Sequence, residues 1–206
     1  MIKLNSFDTI CQEHLGYYST KVIKKILEEN GLEIFNHKYN ESNGGSSRYY
    51  IKHIENKKIK INYKSINYAL SFENKIKLDK ITTFQKFEKN IKIIKSKCSN
   101  KLKNIIKSGK TIHGYGASTK GNVILQYCNI SPKFLDCIVE VNSFKYNRYT
   151  PGSKIKIVSE KQIKKKKPDY LLVLPWHFKE HIIKKEKKFL DNGGKLIFPL
   201  PEIEIV

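Results

Sequence analysis

TIHGYGASTKGNVILQYC, residues 111–128, passes from strand to helix across three glycines, and the rest of the chain is read outward from it. TIHGYG predicts a short strand running into a turn, and a helix is expected from about Thr119 to Cys128. Downstream the alternation continues. LDCIVEV (135–141) and DYLLVLP (169–175) read as strands, Trp176 to Leu190 as a helix stopped by Asn192, Gly193 and Gly194, and KLIFPLP (195–201) as a closing strand. Near-continuous apolar strands separated by helices argue for a parallel sheet covered on both faces. The expected class is α/β, with a Rossmann-like C-terminal domain and a mostly parallel sheet.

Upstream, Phe84, Phe87, Ile91, Ile94, Cys98, Leu102, Ile105 and Ile106 form an apolar stripe that ends before Gly109, as one long helix requires. Further back, Ser19 can cap a helix carrying Val22, Ile23, Ile26 and Leu27, with Gly31 as its stop. LEIFNHKYN (32–40) and SRYYIKHI (47–54) flank the turn signal Asn43 to Ser46 and can pair as neighbouring strands at a sheet edge. Residues 55–80 mix Lys and Asn in weak alternation and commit to no element.

With 206 residues, 39% hydrophobic and 11% aromatic, the chain can fill a core, which excludes a disordered protein. No apolar run approaches the roughly 20 residues of a membrane span, and the start MIKLNSFDTI lacks a signal-peptide core, so a soluble, cytoplasmic protein is expected. Cys11, Cys98, Cys128 and Cys137 show no CxxC spacing, which predicts free thiols and no metal site. The net charge of +21 raises nucleic-acid binding as a competing class. Only Arg48 and Arg148 among the 40 basic residues are arginine, however, and the dense run Lys164 to Lys167 falls where a solvated loop is expected. Bidentate phosphate and base contacts favour arginine, so nucleic acid ranks last as a partner.

Chemistry is expected at the carboxyl ends of the strands, where open α/β sheets bind ligands. GYGASTKGN (114–122), VNSFKYNRYTPG (141–152) and PWHF (175–178) converge there. Gly114, Gly116 and Gly121 with Lys120 would bring backbone amides and an ammonium to a phosphate at a helix N-terminus. The spacing matches neither the dinucleotide fingerprint nor a P-loop, and a tight strand-to-helix turn accounts for the same residues equally well. Asn142, Lys145, Arg148 and Tyr149 could hold a sugar nucleotide or shape a solvated loop. His177 and His181 are four apart on a helix, yet no carboxylate or Cys joins them, and a surface reading is preferred to a metal site.

Taken together, FDTICQEHLGYYS (7–19), NGGSSRYY (43–50), GYGASTKGN, NRYTPGS (147–153) and PDYLLVLPWHF followed by GGKLIFPLP resemble, in this order, the C-methyltransferases that act on nucleotide-linked deoxysugars. The resemblance implies a three-part design: a zinc-binding N-terminal region, an S-adenosylmethionine-binding Rossmann domain, and a second Rossmann-like domain. On it, residues 1–80 correspond to the end of a methyltransferase domain, with its last helix and two strands. Residues 81–108 are a linking helix, and 109–206 are the C-methyltransferase C-terminal domain. It further implies His14 as general base, with Glu13 orienting it or holding a sugar hydroxyl. The family often carries Tyr at the Cys11 position and His at the Gln12 position, so the resemblance carries no role over to those two. Implied on the substrate side are Gly114, Gly116, Lys120, Gly121, Asn122, Asn142, Lys145, Arg148, Tyr149 and Trp176.

No glycine-rich strand-to-helix motif with a downstream acid precedes Glu13, so this sequence offers no S-adenosylmethionine site, and the zinc region would lie before it. The leading expectation is therefore the C-terminal part of a split or truncated sugar C-methyltransferase, inactive without a separate polypeptide carrying the zinc and donor-binding parts. A stand-alone nucleotide-sugar-binding module is the alternative. Strands left without neighbours also predict self-association.

Overall fold

The computed structural model describes residues 1–163 and 168–206; the Lys164–Lys167 run lies outside them. Packing divides the chain into two units, residues 1–13 with 89–206, and residues 14–88.

In the larger unit a six-stranded sheet has the order β5-β4-β3-β6-β7-β8. Its strands are β3 (Ile112–Tyr115), β4 (Ile138–Glu140), β5 (Ile157–Ser159), β6 (Tyr170–Val173), β7 (Lys195–Phe198) and β8 (Glu204–Ile205). Every neighbouring pair is parallel except β7 with β8. Burial explains the pattern: Leu135, Ile138, Leu172, Val173, Leu196, Ile197 and Phe198 are wholly inaccessible. Runs this apolar are stable only with both sheet faces covered. The covering helices include α4 (Thr119–Tyr127), α6 (Lys179–Lys185) and α7 (Lys187–Asp191). The single helix expected from Trp176 to Leu190 is thus in pieces: a 3-10 turn covers Trp176–Phe178, and Glu186 caps both α6 and α7 at φ −92° and ψ 17°. A short helix α5 (Glu160–Ile163) follows β5; neither of these, nor β8, is expected from the sequence.

In the smaller unit α1 (Thr20–Glu29) starts where Ser19 predicts, its Oγ accepting the Val22 N–H at 3.2 Å. Strands β1 (Leu32–Asn40) and β2 (Ser46–His53) pair antiparallel, with a register shift between Ile34 and Asn36. The ambiguous stretch 55–80 contains a helix, α2 (Tyr63–Lys75), capped by the Asn62 side chain on the Ser65 N–H. Long helix α3 (Ile81–Lys107) follows, belonging to the smaller unit up to Glu88 and to the larger one from Lys89. Along its length Phe87, Ile94, Cys98, Leu102 and Ile105 are buried, at the spacing of the stripe. Among the described residues no helix is long and apolar enough to cross a membrane.

Candidate functional site at the carboxyl edge of the sheet

After β3 the chain crosses to β4 on one side, and after β5 it returns to β6 on the other. The β3–β6 boundary is therefore the topological switch point, where an open α/β sheet leaves a crevice. A cavity of about 290 Å³ lies here, walled by Tyr115, Glu140, Pro175, Phe178, His181 and Lys185 among others.

The three glycines of GYGASTKGN serve close packing. A Cβ on Gly114 would come within 2.7 Å of Ile138, one on Gly116 within 2.8 Å of Pro175, and one on Gly121 within 2.9 Å of Leu174. Gly116 also has φ +80°, which a side chain would resist. Ser118 then caps α4, its Oγ accepting the Gly121 N–H at 3.0 Å.

Glu140, at the end of β4 and 7% exposed, supplies the anion that the turn requires. Its Oε2 accepts the Ala117 N–H at 2.9 Å, and its Oε1 accepts those of Val141 and Asn142 at 2.8 and 3.0 Å. Lys145 donates to the Ala117 carbonyl at 2.7 Å and stands 3.5 Å from Glu140 Oε2. Burial pushes the Glu140 carboxyl up, but the N–H groups of Asn142, Ala117 and Val141 outweigh it and hold the group below its usual range. The turn amide expected to meet a phosphate is thus taken by the protein's own carboxylate, and Lys145 by the same cluster.

Across the cavity, Tyr115 donates to Glu186 Oε1 at 3.0 Å, while Lys185 donates to the Tyr115 oxygen at 2.9 Å and to Glu160 at 2.7 Å. Burial is the main cause that pushes the Tyr115 hydroxyl up to about 12. Tyr115 therefore stays protonated near neutral pH, able to donate a hydrogen bond but unsuited to act as a base.

A second polar cluster involves the N-terminal segment. Asp8 is wholly buried, and its Oδ2 accepts the Trp176 indole N–H at 2.8 Å. Trp176 is 6% exposed, so it serves this anchor. Phe7 packs on Tyr127 of α4 with ring centroids 4.9 Å apart. The other Asp8 oxygen, Ser6 Oγ, Asn122 Oδ1 and His177 Nδ1 are buried with no partner among the described atoms. Burial, and then the Lys120 ammonium, hold His177 below its ordinary value.

Of the residues expected on the substrate side, Gly114, Gly116, Lys120, Gly121, Asn122, Lys145 and Trp176 share this edge of the sheet. Asn142, Arg148 and Tyr149 are exposed on the loop after β4, with Phe144 and Val141 also open to solvent. Glu13 is the last residue of the larger unit's N-terminal segment and His14 the first of the smaller unit; both are exposed. The His14 ring lies edge-on to Tyr17 at 6.5 Å. Asp8, Tyr115, Glu140 and Lys185 had not been identified from sequence. Only a carboxylate ending an apolar strand, as in CIVEV, could have pointed to Glu140. Among the described residues no group of three or more His, Cys, Asp or Glu could hold a metal, and all four cysteines are free.

The sequence model of the C-methyltransferase C-terminal domain matches residues 41–201. The C-methyltransferase NovU of Streptomyces niveus is 28% identical over 207 aligned residues, covering 100% of this chain and 49% of that protein. The chain therefore spans about half the length of the curated relative it matches. With a family match over most of its length, as well as the α/β sheet that the motifs imply, the chain belongs to the family of C-methyltransferase C-terminal domains.

Proposed function

We propose that this chain is the substrate-side part of an S-adenosylmethionine-dependent C-methyltransferase acting on a nucleotide-linked keto-deoxysugar, and that it acts together with a donor-binding part, whether joined to it or carried by a separate polypeptide. The observation that carries the reading is the alignment of the whole chain with 49% of a C-methyltransferase.

The donor does not fit the glycine turn of this chain. Glu140 occupies the Ala117 N–H, and Pro175 stands 2.8 Å from where a Gly116 Cβ would be. The donor would supply an electrophilic methyl group. What these residues can supply is the carbon nucleophile. His14 would remove a proton from the carbon beside the sugar's keto group, leaving an enolate. Glu13 would orient the imidazole or hold a sugar hydroxyl. Lys120, Asn142, Arg148 and Tyr149 would meet the nucleotide and its diphosphate, Arg148 by paired hydrogen bonds. Gly114, Gly116, Gly121, Asn122, Lys145 and Trp176 would shape that site from behind.

The test is methyl transfer from labelled S-adenosylmethionine to a thymidine-linked keto-deoxysugar, with the chain alone and with a co-expressed donor-binding half. Activity is expected only in the pair, and His14→Ala should reduce kcat by about 10² to 10⁴. Undiminished activity of the variant would remove His14 from its role. A stand-alone nucleotide-sugar-binding module is favoured instead by the exposed loop bearing Asn142, Arg148 and Tyr149. Titration calorimetry that shows sugar-nucleotide binding, with no methylation from any pairing, would select it.

A further inference from the structure

The smaller unit holds a cavity that the methyl-transfer reading does not use. It measures about 350 Å³ and is walled by His37 and Tyr39 of β1 and by Asn62, Lys64, Ser65 and Tyr68 at the start of α2. The wall is rigidly built. The His37 N–H reaches Asn36 Oδ1 at 2.9 Å and Ser65 Oγ at 3.0 Å, and the Asn62 N–H donates to the Phe35 carbonyl at 2.8 Å. Ser65 Oγ also lies 2.9 Å from Asn36 Oδ1, so the first turn of α2 is pinned against the irregular point of β1.

Three features of this wall call for a ligand. His37 is 4% exposed, yet its Nε2 has no hydrogen-bond partner among the described atoms. Leaving a buried polar nitrogen unpaired is costly, so a ligand atom that hydrogen-bonds to it would be favoured. Second, Lys64 is the second residue of α2, whose first turn has no acidic residue. A cation at the positive end of the helix dipole is disfavoured, and the N–H groups of Tyr63 and Lys64 have no intrahelical acceptor. An anion would satisfy both. Third, the remaining wall is aromatic: His37 meets Tyr39 edge-on at 4.5 Å, and Tyr39 meets Tyr68 edge-on at 6.1 Å. Tyr39 and Tyr68 are 46% and 65% exposed, an apolar cost that a ring laid on them would relieve.

From this juxtaposition we infer that the cavity between β1 and the first turn of α2 binds a small ring compound bearing an anionic group. The anion lies against Lys64 and the α2 N-terminus, the ring against Tyr39 and Tyr68, and a polar atom between them reaches His37. The size is adequate, since small-molecule sites begin near 300 Å³.

Amide chemical shifts of the full chain, titrated with phenyl phosphate, inorganic phosphate and phenol, test this. Phenyl phosphate should move the amides of His37 and Tyr63 to Ser65 and bind about tenfold more tightly than inorganic phosphate, with phenol weaker than either. Lys64→Glu, a change on an exposed residue, should weaken phenyl phosphate by about tenfold or more. His37→Phe should weaken it too; if that variant unfolds, His37→Gln replaces it. Unmoved amides in this turn, unchanged binding by Lys64→Glu, or equal affinity for the two phosphates would each overturn the inference.

Discussion

The two units bury apolar and polar residues in different proportions: the larger one sets Ser6, Asp8, His113, Glu140 and Thr150 within a much more extensive apolar core. The larger unit's sheet is filled by aliphatic and aromatic side chains that are wholly inaccessible, with Leu172, Leu196 and Phe198 among them. The smaller unit has few comparable positions, Ile34, Ile66, Ala69 and Phe87, and it buries Thr20, His37 and Lys52 beside them. Each of those polar groups needs a partner. Lys52 meets Glu33 at 3.0 Å and the Asn56 carbonyl at 2.7 Å, while Thr20 Oγ1 shares a hydrogen with Tyr49 at 2.9 Å and its N–H goes to Glu73. Apolar burial is non-directional and tolerates small shifts, whereas a buried polar network stabilises only when every bond is made. The larger unit is therefore expected to be the robust one, and the smaller the one sensitive to single polar changes.

The largest effect should come from Leu172→Ala. Removing a fully buried leucine at the centre of the parallel sheet costs about 2–5 kcal/mol. Denaturant unfolding should show this, whereas Val22→Ala on α1, 45% exposed, should cost far less. Equal losses would break the contrast between the units.

Next comes Glu33→Gln. Lys52, with only 4% of its side chain exposed, would lose its carboxylate, and leaving such a group short of a partner costs about 1–3 kcal/mol. Hydrogen exchange should speed up in β1 and β2 and stay unchanged at Leu172. Uniform acceleration would mean that the two units open together.

The smallest difference is the response to pH. Burial holds His37 below its ordinary 6.5, with Glu73 partly countering it. The native chain then binds fewer protons than the unfolded chain in that window. Stability is full above pH 6.5 and declines as pH falls toward the depressed value. In the larger unit, the Thr111 N–H and then Lys110 bring Asp169 down to about 2 from 3.8, so its contribution fades only as pH falls from about 4 to 2. His177 adds to the larger unit a loss of the same sign as that of His37. Residue-resolved exchange between pH 7 and 5 should therefore show His37→Gln flattening the response in β1 and β2 alone. An unchanged slope there would remove His37 as its source.

What could be read in advance follows the same division. The strands around Ile138, Leu172 and Ile197 were legible because a doubly covered sheet demands continuous apolar runs, which few other arrangements accept. Ser19 and Gly31 marked the limits of α1 through local capping chemistry. Helix α2 was hidden, because its two buried residues, Ile66 and Ala69, sit among Lys and Asn and leave too little periodic signal. At the site, sequence spacing brought GYGASTKGN, the loop after β4 and PWHF to one edge of the sheet. It could not show that Glu140 would fill the turn.

The sequence by itself therefore determined the α/β class, four of the six strands after Gly109, the family, and which loops share an edge. These depend on hydrophobic period, turn residues and motif order, all local in the chain. Tertiary structure alone decided that Asp8 anchors Trp176 from 168 positions away, that Glu140 and Lys145 are spent on the glycine turn, and that His37 is buried without a partner. The role of a carboxylate, an ammonium or an imidazole depends on what stands within about 3 Å of it, and distant segments place those neighbours.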